Sequence, residues 1–248
     1  KSIPEYDFIY LGDSARAPYG GRSQETIYEF TKKGVSFLFN KGAVLVVLAC
    51  NTASSEALRK IQNDLKKENK KGRNVLGVII PAAEEAILKT KTNSIAVLAT
   101  EATVRSKAFS CELKKLFSGV KVVEKKAPLL VPLIEAGEER GESAKLLTEK
   151  YVKSVLGKNV DTLILGCTHY GLIEPVIKEF SGNTHIISEG KVVAKKLKEY
   201  IKKHTEYDVQ FSKKRRREFY TTDDSTSFDE HGSRFFGSKI KSKKVSLD

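Results

Sequence analysis

The sequence contains no methionine and no tryptophan, and only three of its 248 residues are cysteines. It has no apolar run near the roughly 20 residues that a membrane-spanning helix requires. It also has no secretory signal, and an odd cysteine count does not suit a disulfide framework. We therefore expect a soluble, cytoplasmic protein with reduced thiols.

Zinc-binding cysteine and histidine patterns are also missing. There is no C-x-x-C motif, and the four histidines lack the i, i+4 spacing of a zinc-binding helix. The sequence therefore predicts no metal site. The histidines are His169, His185, His204 and His231.

Acidic residues are the minority among the charges, with 31 against 44 basic residues, which gives a net charge of +13. The basic residues are spread along predicted helices, with one run at residues 213–217. No basic strand with interspersed aromatic residues and no helix-turn-helix pattern accompanies that run. The charge therefore favours solvated helix faces over a nucleic-acid site.

Two similar turns, each with a cysteine, stand out among what is present. Residues 44–55 and 161–170 each consist of an apolar, β-branched run, a small residue, a cysteine, and then hydroxyl or amide side chains. A continuous apolar run is typical of a buried parallel strand, whose carboxyl end usually leads into a functional loop. A helical pattern opens near Ser54 and near Thr168. We expect backbone N–H groups there to lower each thiol pKa from about 8.5.

Apolar runs and helical patterns alternate along the chain, which predicts a parallel sheet covered by helices. The two cysteines are 117 residues apart (167 minus 50), about the size of one small domain. The sequence therefore predicts an α/β protein with two similar domains that face each other. The strands are expected at residues 6–11, 44–48, 75–80, 94–99, 120–124, 161–165, 185–188 and 218–222.

Three other segments carry expectations. Residues 12–21 are rich in glycine and proline, with polar side chains suited to a binding loop, although a surface turn is the alternative. The hydroxyl-rich turn at residues 100–106 could hold a carboxylate. Cys111 is expected to be a buried packing residue, and residues 189–190 are expected to form a turn before a helix.

These motifs resemble those of one known family. Residues 49–54 (Ala-Cys-Asn-Thr-Ala-Ser) and 166–170 (Gly-Cys-Thr-His-Tyr) resemble the paired signatures of glutamate racemases, in the cofactor-independent aspartate/glutamate racemase superfamily. Residues 12–20 resemble the loop that precedes the first helix of that family. The segments at 100–106 and 218–222 also fit, so the resemblance covers nearly the whole chain.

The resemblance implies two flavodoxin-like parallel-sheet domains facing each other across an active-site cleft. The first, residues 1–77 plus 189–248, would carry Cys50, and the second, residues 78–188, would carry Cys167. The C-terminal segment would complete the first domain. The resemblance also implies glutamate as the substrate, no cofactor, a homodimer, and production of D-glutamate for peptidoglycan synthesis in the cytoplasm.

The chemistry explains why two thiols are needed. Inversion at Cα removes a proton from one face and returns a proton to the other, which requires two acid/base groups. By resemblance, Cys50 deprotonates D-glutamate, and Cys167, assisted by His169, deprotonates L-glutamate. Glu135 resembles an acidic residue near the second thiol. The residues implied in substrate binding are Tyr19, Gly20, Asn51, Thr52, Thr168 and His169.

Two alternatives stay open. The first is aspartate racemase or another two-thiol enzyme of the superfamily, although His169 and Tyr170 after Cys167 favour glutamate. The second is a non-catalytic role in binding DNA gyrase, which the presence of both thiols disfavours. One departure also matters, because the family begins with a strand ending in Asp-Ser-Gly that this sequence lacks. Asp13 and Ser14 belong to the later loop, so we expect such a segment before Lys1.

Overall fold

A computed structural model describes residues 2–70 and 72–247 of the chain. Every strand pair in these residues is parallel, and the strands form three sheets. Parallel neighbours require long crossover connections, which are usually helices. The α/β class predicted from the sequence is confirmed.

The elements are short and alternate along the chain. The strands are β1 (Phe8–Gly12), β2 (Leu45–Leu48), β3 (Asn74–Gly77), β4 (Ser94–Ala99), β5 (Lys121–Lys126), β6 (Thr162–Gly166), β7 (His185–Ile187), β8 (Arg217–Thr221) and β9 (Ser242–Lys244). The helices are α1 (Gln24–Asn40), α2 (Asn51–Glu56), α3 (Leu58–Lys67), α4 (Ile79–Lys89), α5 (Glu101–Ser106), α6 (Ala108–Leu116), α7 (Leu130–Glu135), α8 (Glu142–Val155), α9 (Glu174–Ser181), α10 (Glu189–Lys203), α11 (Thr205–Asp208) and α12 (Ser225–Phe236). Two 3₁₀ turns cover Ser14–Arg16 and Thr168–Gly171.

The largest sheet has four strands in the order β5-β4-β6-β7. Strand β4, the first of these in the chain, lies between β5 and β6, which are the second and the third. Flavodoxin-like sheets have the same arrangement. Strands β4 and β6 are buried at every position, because helices cover both faces of the sheet. Helices α7, α8 and α9 build the core on one face, and α4 and α6 build it on the other.

The remaining strands form two smaller sheets, β1-β8-β9 and β2-β3. Strand β8, late in the chain, pairs with β1, so that Gly12 lies beside Thr221. Helix α1 contacts both β1 and β2, and α1, α2 and α3 share a core with β2 and β3. The C-terminal strand β8 thus packs against the N-terminal strand β1. The domain limits, 1–77 plus 189–248 and 78–188, stay a prediction.

Several sequence-based boundaries are wrong. The strand expected at residues 75–80 ends at Gly77, and Pro81 lies in the first turn of α4 instead of ending the strand. A proline is tolerated there because the first N–H groups of a helix have no partner within the helix. The last strand is β9, beyond β8, and residues 189–190 belong to α10 instead of a turn.

Cys111 is exposed, so the prediction that it is a packing residue is wrong. Phe109 and Leu113 of the same helix are buried. A residue two positions from each of them points to the opposite side of the helix, which explains the exposure. Among residues 2–70 and 72–247, no helix combines the length and the apolar character needed to span a membrane.

Candidate active site

The first cysteine lies between a strand and a helix. Strand β2 ends at Leu48, and Cys50 is the N-cap of α2, which begins at Asn51 and not near Ser54 as predicted. The Ser54 N–H donates to the Cys50 carbonyl at 2.9 Å, and the Ser54 hydroxyl donates to the Leu48 carbonyl at 2.9 Å. Ser54 thereby joins the strand end to the helix and fixes the position of the half-buried Cys50.

The second cysteine follows β6 in the same way, but a 3₁₀ turn comes first and the helix predicted to open near Thr168 begins at Glu174, as α9. Gly166 is required before it, because a Cβ atom at this position would lie 2.9 Å from the Phe109 ring and 3.0 Å from the Ala99 side chain. Cys167 is buried, with 7% of its surface exposed. The Tyr170 N–H donates to the Cys167 carbonyl at 3.0 Å and closes the turn.

The expectation that helix N-termini lower the thiol pKa values is wrong in its net effect. Burial raises the pKa of the Cys50 thiol, although the N–H groups of Ala53 and Thr52 act in the opposite direction. Burial also raises the pKa of Cys167, against the N–H groups of His169 and Tyr170. A negative charge on Cys50 raises the pKa of Cys167 further. The two thiols therefore lie within electrostatic reach of each other.

His169 lies between Cys167 and the carboxylate of Glu135. The Nδ1 atom of His169 lies 3.9 Å from the Cys167 sulfur, and its Nε2 atom lies 3.3 Å from Glu135 Oε1. Glu135 is the last residue of α7, so two separate elements build this chain of groups. The structure thus brings together Cys167, His169 and Glu135, all of which the sequence analysis singled out. An imidazole between a thiol and a carboxylate can transfer a proton to or from the sulfur.

Asn51 and Glu189 form a buried pair beside the first cysteine. The Asn51 Nδ2 group donates to Glu189 Oε2 at 2.7 Å, and the two residues are 2% and 5% exposed. Glu189 is the first residue of α10 and was not singled out by the sequence analysis. An acidic residue directly after Ser188, at the start of a helical pattern, was a signal for a helix N-terminus.

Three buried threonine hydroxyls connect α2 with the end of β4. Thr52 Oγ1 lies 2.9 Å from Thr100 Oγ1 and 3.5 Å from Thr103 Oγ1, and Thr100 caps α5 by accepting from the Thr103 N–H. The Gly20 carbonyl accepts from the Ala102 N–H at 2.9 Å. A Cβ atom at Gly20 would lie 3.0 Å from the Thr100 side chain. Gly20, Thr52 and the hydroxyl-rich turn therefore meet.

Tyr19 is held by the loop that precedes α1. Its hydroxyl donates to the Asp13 carboxylate, and burial together with this bond raises its pKa. The other Asp13 oxygen accepts from the Thr222 hydroxyl at 2.9 Å, which connects the loop to the end of β8. Arg16 lies 2.9 Å from Asp13 and stacks its guanidinium on Phe30. The segment at residues 12–21 is therefore an ordered loop.

The remaining residues of the second signature differ in environment. Thr168 is exposed, which leaves its side chain accessible to a ligand. Tyr170 is fully buried, and its hydroxyl donates to the Ala127 carbonyl at 3.0 Å, so it supports the turn. Residues 2–70 and 72–247 contain no group of three or more side chains suited to hold a metal ion.

Comparison with known proteins gives a consistent result. The model of the Asp/Glu/Hydantoin racemase family matches residues 1–197. The glutamate racemase of Aquifex aeolicus is 44% identical over 202 residues, which are 82% of this chain and 76% of that protein.

Solved structures are similar over nearly the whole chain. A glutamate racemase isoform from Bacillus anthracis is 31% identical, with a TM-score of 0.89, and the match covers 99% of this chain and 90% of that one. The glutamate racemase of Francisella tularensis, solved in complex with D-glutamate, is 30% identical, with a TM-score of 0.88 and the same coverage.

Proposed function

This chain belongs to the Asp/Glu/hydantoin racemase family, and we propose that it interconverts L-glutamate and D-glutamate with Cys50 and Cys167 as its two acid/base groups. The observation that carries the proposal is the pairing of two thiols at the carboxyl ends of strands in different sheets, within electrostatic reach of each other. Relatives that are glutamate racemases favour glutamate over aspartate as the substrate.

The reaction moves one proton onto the protein and one off it. A thiolate on one face of the substrate takes the Cα proton, and the electron pair of the broken C–H bond stays on Cα. That pair then takes a proton from the thiol on the opposite face, so the two sulfurs exchange protonation states. A second turnover in the reverse direction restores the original states, and no redox step is involved.

The raised thiol pKa values bear on how the thiolate forms. Since burial favours the neutral thiol, a positive charge is needed to stabilise the thiolate. The ammonium group of a bound amino acid carries such a charge. For Cys167, His169 at 3.9 Å is also placed to accept the thiol proton, and Glu135 would stabilise the resulting imidazolium.

Donors for the carboxylates and the developing carbanion lie around both thiols. We assign substrate binding to the residues that the family resemblance implies, which fall into three groups along the chain. Asn51 and Thr52 follow Cys50, Thr168 and His169 follow Cys167, and Tyr19 and Gly20 come from the loop packed on Thr100. Fixed donors in a site that excludes water stabilise negative charge more strongly than water-exposed donors.

Three further parts of the proposal rest on the family resemblance. They are a homodimer, a cytoplasmic location, and use of the D-glutamate product in peptidoglycan synthesis. The first is tested by sedimentation equilibrium of the full chain, where a single monomeric species at micromolar concentration would contradict it.

The deciding experiment incubates the full-length protein with L-glutamate in D2O without pyridoxal phosphate. We expect loss of optical activity by circular dichroism and incorporation of deuterium at Cα by proton NMR. Replacing Cys50 or Cys167 by alanine should lower racemisation by about a thousandfold or more, because each variant lacks one of two required bases.

The third cysteine supplies a matched control. Cys111 is exposed on α6, so Cys111→Ala should racemise glutamate at the wild-type rate. Exchange with aspartate but not with glutamate would move the assignment to aspartate racemase. If a folded full-length chain neither exchanged the Cα proton nor racemised either amino acid, the enzymatic proposal would be rejected.

A further inference from the structure

Glu189 is a buried carboxyl group that the two-thiol reaction does not use. It begins α10, is 5% exposed, and receives a hydrogen bond of 2.7 Å from Asn51. Asn51 directly follows Cys50, so this bond links the start of α10 to the first cysteine turn. A buried acidic side chain is rarely retained without a charged or hydrogen-bonded partner.

The pair has an unmatched set of hydrogen-bonding atoms. Glu189 Oε1 and Asn51 Oδ1 are both buried acceptors without a partner. A carboxylate supplies acceptors only, whereas a protonated carboxyl group also supplies one O–H donor. One proton on Glu189 therefore adds the donor that this buried pair lacks.

The electrostatics point the same way. Burial raises the pKa of Glu189 to about 8, against the Asn51 hydrogen bond, which acts in the opposite direction. A negative charge on Glu189 would raise the pKa of both Cys50 and Cys167. An ionised Glu189 would thus oppose thiolate formation on either side of the substrate.

We propose that Glu189 is a positioning residue whose uncharged carboxyl group holds the Asn51 side chain beside Cys50 and keeps an additional negative charge away from the two thiols. The inference deepens the racemase assignment and rests on it. It adds to the site a residue that hydrogen-bonds to Asn51 and acts through that side chain and through its own protonation state.

Three elements pack against α10, and all three carry titratable groups. Helix α10 contacts α4, the 3₁₀ turn at Thr168–Gly171 and α11, whose titratable residues are Glu84, Glu85, Lys89, His169, Tyr170, Glu206, Tyr207 and Asp208. Lys196, on α10, lies 2.7 Å from Glu84, two turns beyond Glu189. None of these groups contributes to the shift at Glu189, whose pKa is raised by burial and lowered by the Asn51 hydrogen bond. The two thiols are the groups coupled to it, and a thiolate on either cysteine favours the uncharged Glu189 carboxyl group.

The test compares Glu189→Gln with Glu189→Ala. Glutamine keeps the size and can both accept from and donate to Asn51, so it mimics the protonated acid. At pH 7 we expect Glu189→Gln to keep kcat and KM within about threefold of wild type. Glu189→Ala should raise KM and lower kcat by about tenfold or more, because Asn51 loses its partner. Loss of activity in a folded Glu189→Gln variant would overturn the proposal.

A second readout does not depend on catalysis. The rate of Cys50 alkylation by iodoacetamide, followed by peptide mass spectrometry against pH, reports the Cys50 thiolate. Wild type and Glu189→Gln should show equal Cys50 alkylation rates at pH 7 and below, where the Glu189 carboxyl group of wild type is mostly uncharged. Above pH 8, Glu189→Gln should react roughly three- to tenfold faster, since wild type then carries the opposing charge. Equal rates at every pH would reject the electrostatic part of the proposal.

Two controls separate local from general effects. The exposed Cys111 thiol is an internal reference, whose alkylation should not change in any variant. Glu199→Gln removes the same charge from an exposed position on α10 and should leave Cys50 reactivity unchanged. If the protein failed to racemise glutamate, the alkylation profile would still decide whether Glu189 controls Cys50, so the two hypotheses fail separately.

Discussion

The two cysteine turns have a similar backbone arrangement and different side-chain surroundings. Each cysteine follows the end of a parallel strand, and each thiol faces the N–H groups of the residues two and three positions later. The residue two positions later is Thr52 in the first turn and His169 in the second. Thr52 bonds to Thr100, whereas His169 bridges Cys167 to Glu135.

From this difference we expect the two thiols to be activated in different ways in the proposed reaction. Cys167 is more deeply buried and has an imidazole within 3.9 Å that can exchange a proton with it. Cys50 is half-buried, and the hydrogen-bonded pair of Asn51 and Glu189 lies beside it. In the proposed mechanism, each thiol serves one enantiomer because it faces one side of Cα, and the side-chain difference determines how each thiol gains and loses its proton.

The largest expected effect separates the thiols by enantiomer. In Cys50→Ala, we expect Cα deuterium exchange of D-glutamate in D2O to fall about a thousandfold, while L-glutamate still exchanges without inversion. In Cys167→Ala, exchange of L-glutamate should fall and D-glutamate should still exchange, because the remaining thiol, Cys50, faces the other side of Cα. Proton NMR of each enantiomer measures the exchange. Equal loss for both enantiomers in both variants would contradict the assignment of one thiol to each face.

Much of the fold followed from the sequence because buried parallel strands are read directly as apolar runs. Residues 94–99 and the run before Cys167 are strands β4 and β6, buried at every position. Boundaries were less accurate where a local signal was misread. Pro81 was interpreted as ending a strand although it suits the first turn of a helix. The short β9 strand carries no apolar pattern and was missed.

Without the family resemblance, contacts in the candidate site were predictable only between residues that are close in sequence. Cys167 and His169 share one motif, and their contact follows from the turn. The Asn51–Glu189 pair joins residues 138 positions apart, and its burial depends on tertiary packing that no local pattern encodes. The prediction of lowered thiol pKa values was wrong for the same reason. The sequence indicates the local N–H groups, but it does not indicate the burial that outweighs them.

An intermediate effect is expected at His169 and would sharpen the comparison. His169→Gln keeps a polar side chain but removes the acid/base group next to Cys167. We expect kcat to fall about a hundredfold for L-glutamate and by a smaller factor for D-glutamate, because proton transfer by a positioned side chain contributes roughly 10²–10⁴-fold. Polarimetry in each direction gives kcat. His204→Gln, a histidine outside the site, should change neither direction.

The smallest effect is expected at Glu135, which contacts the His169 ring nitrogen that points away from Cys167. Its carboxylate lies 3.3 Å from His169 Nε2, and the two side chains are 44% and 34% exposed, so solvent weakens their attraction. Such partly exposed pairs contribute about 0.2–1 kcal/mol, which corresponds to at most about a fivefold change in rate. Glu135→Gln should therefore lower kcat for L-glutamate up to about fivefold and leave D-glutamate nearly unchanged. Glu138→Gln, at an exposed neighbouring position, is the matched control. A loss equal to that of His169→Gln would show that Glu135 and His169 act as one unit, and equal effects on both enantiomers would remove the distinction between the two turns.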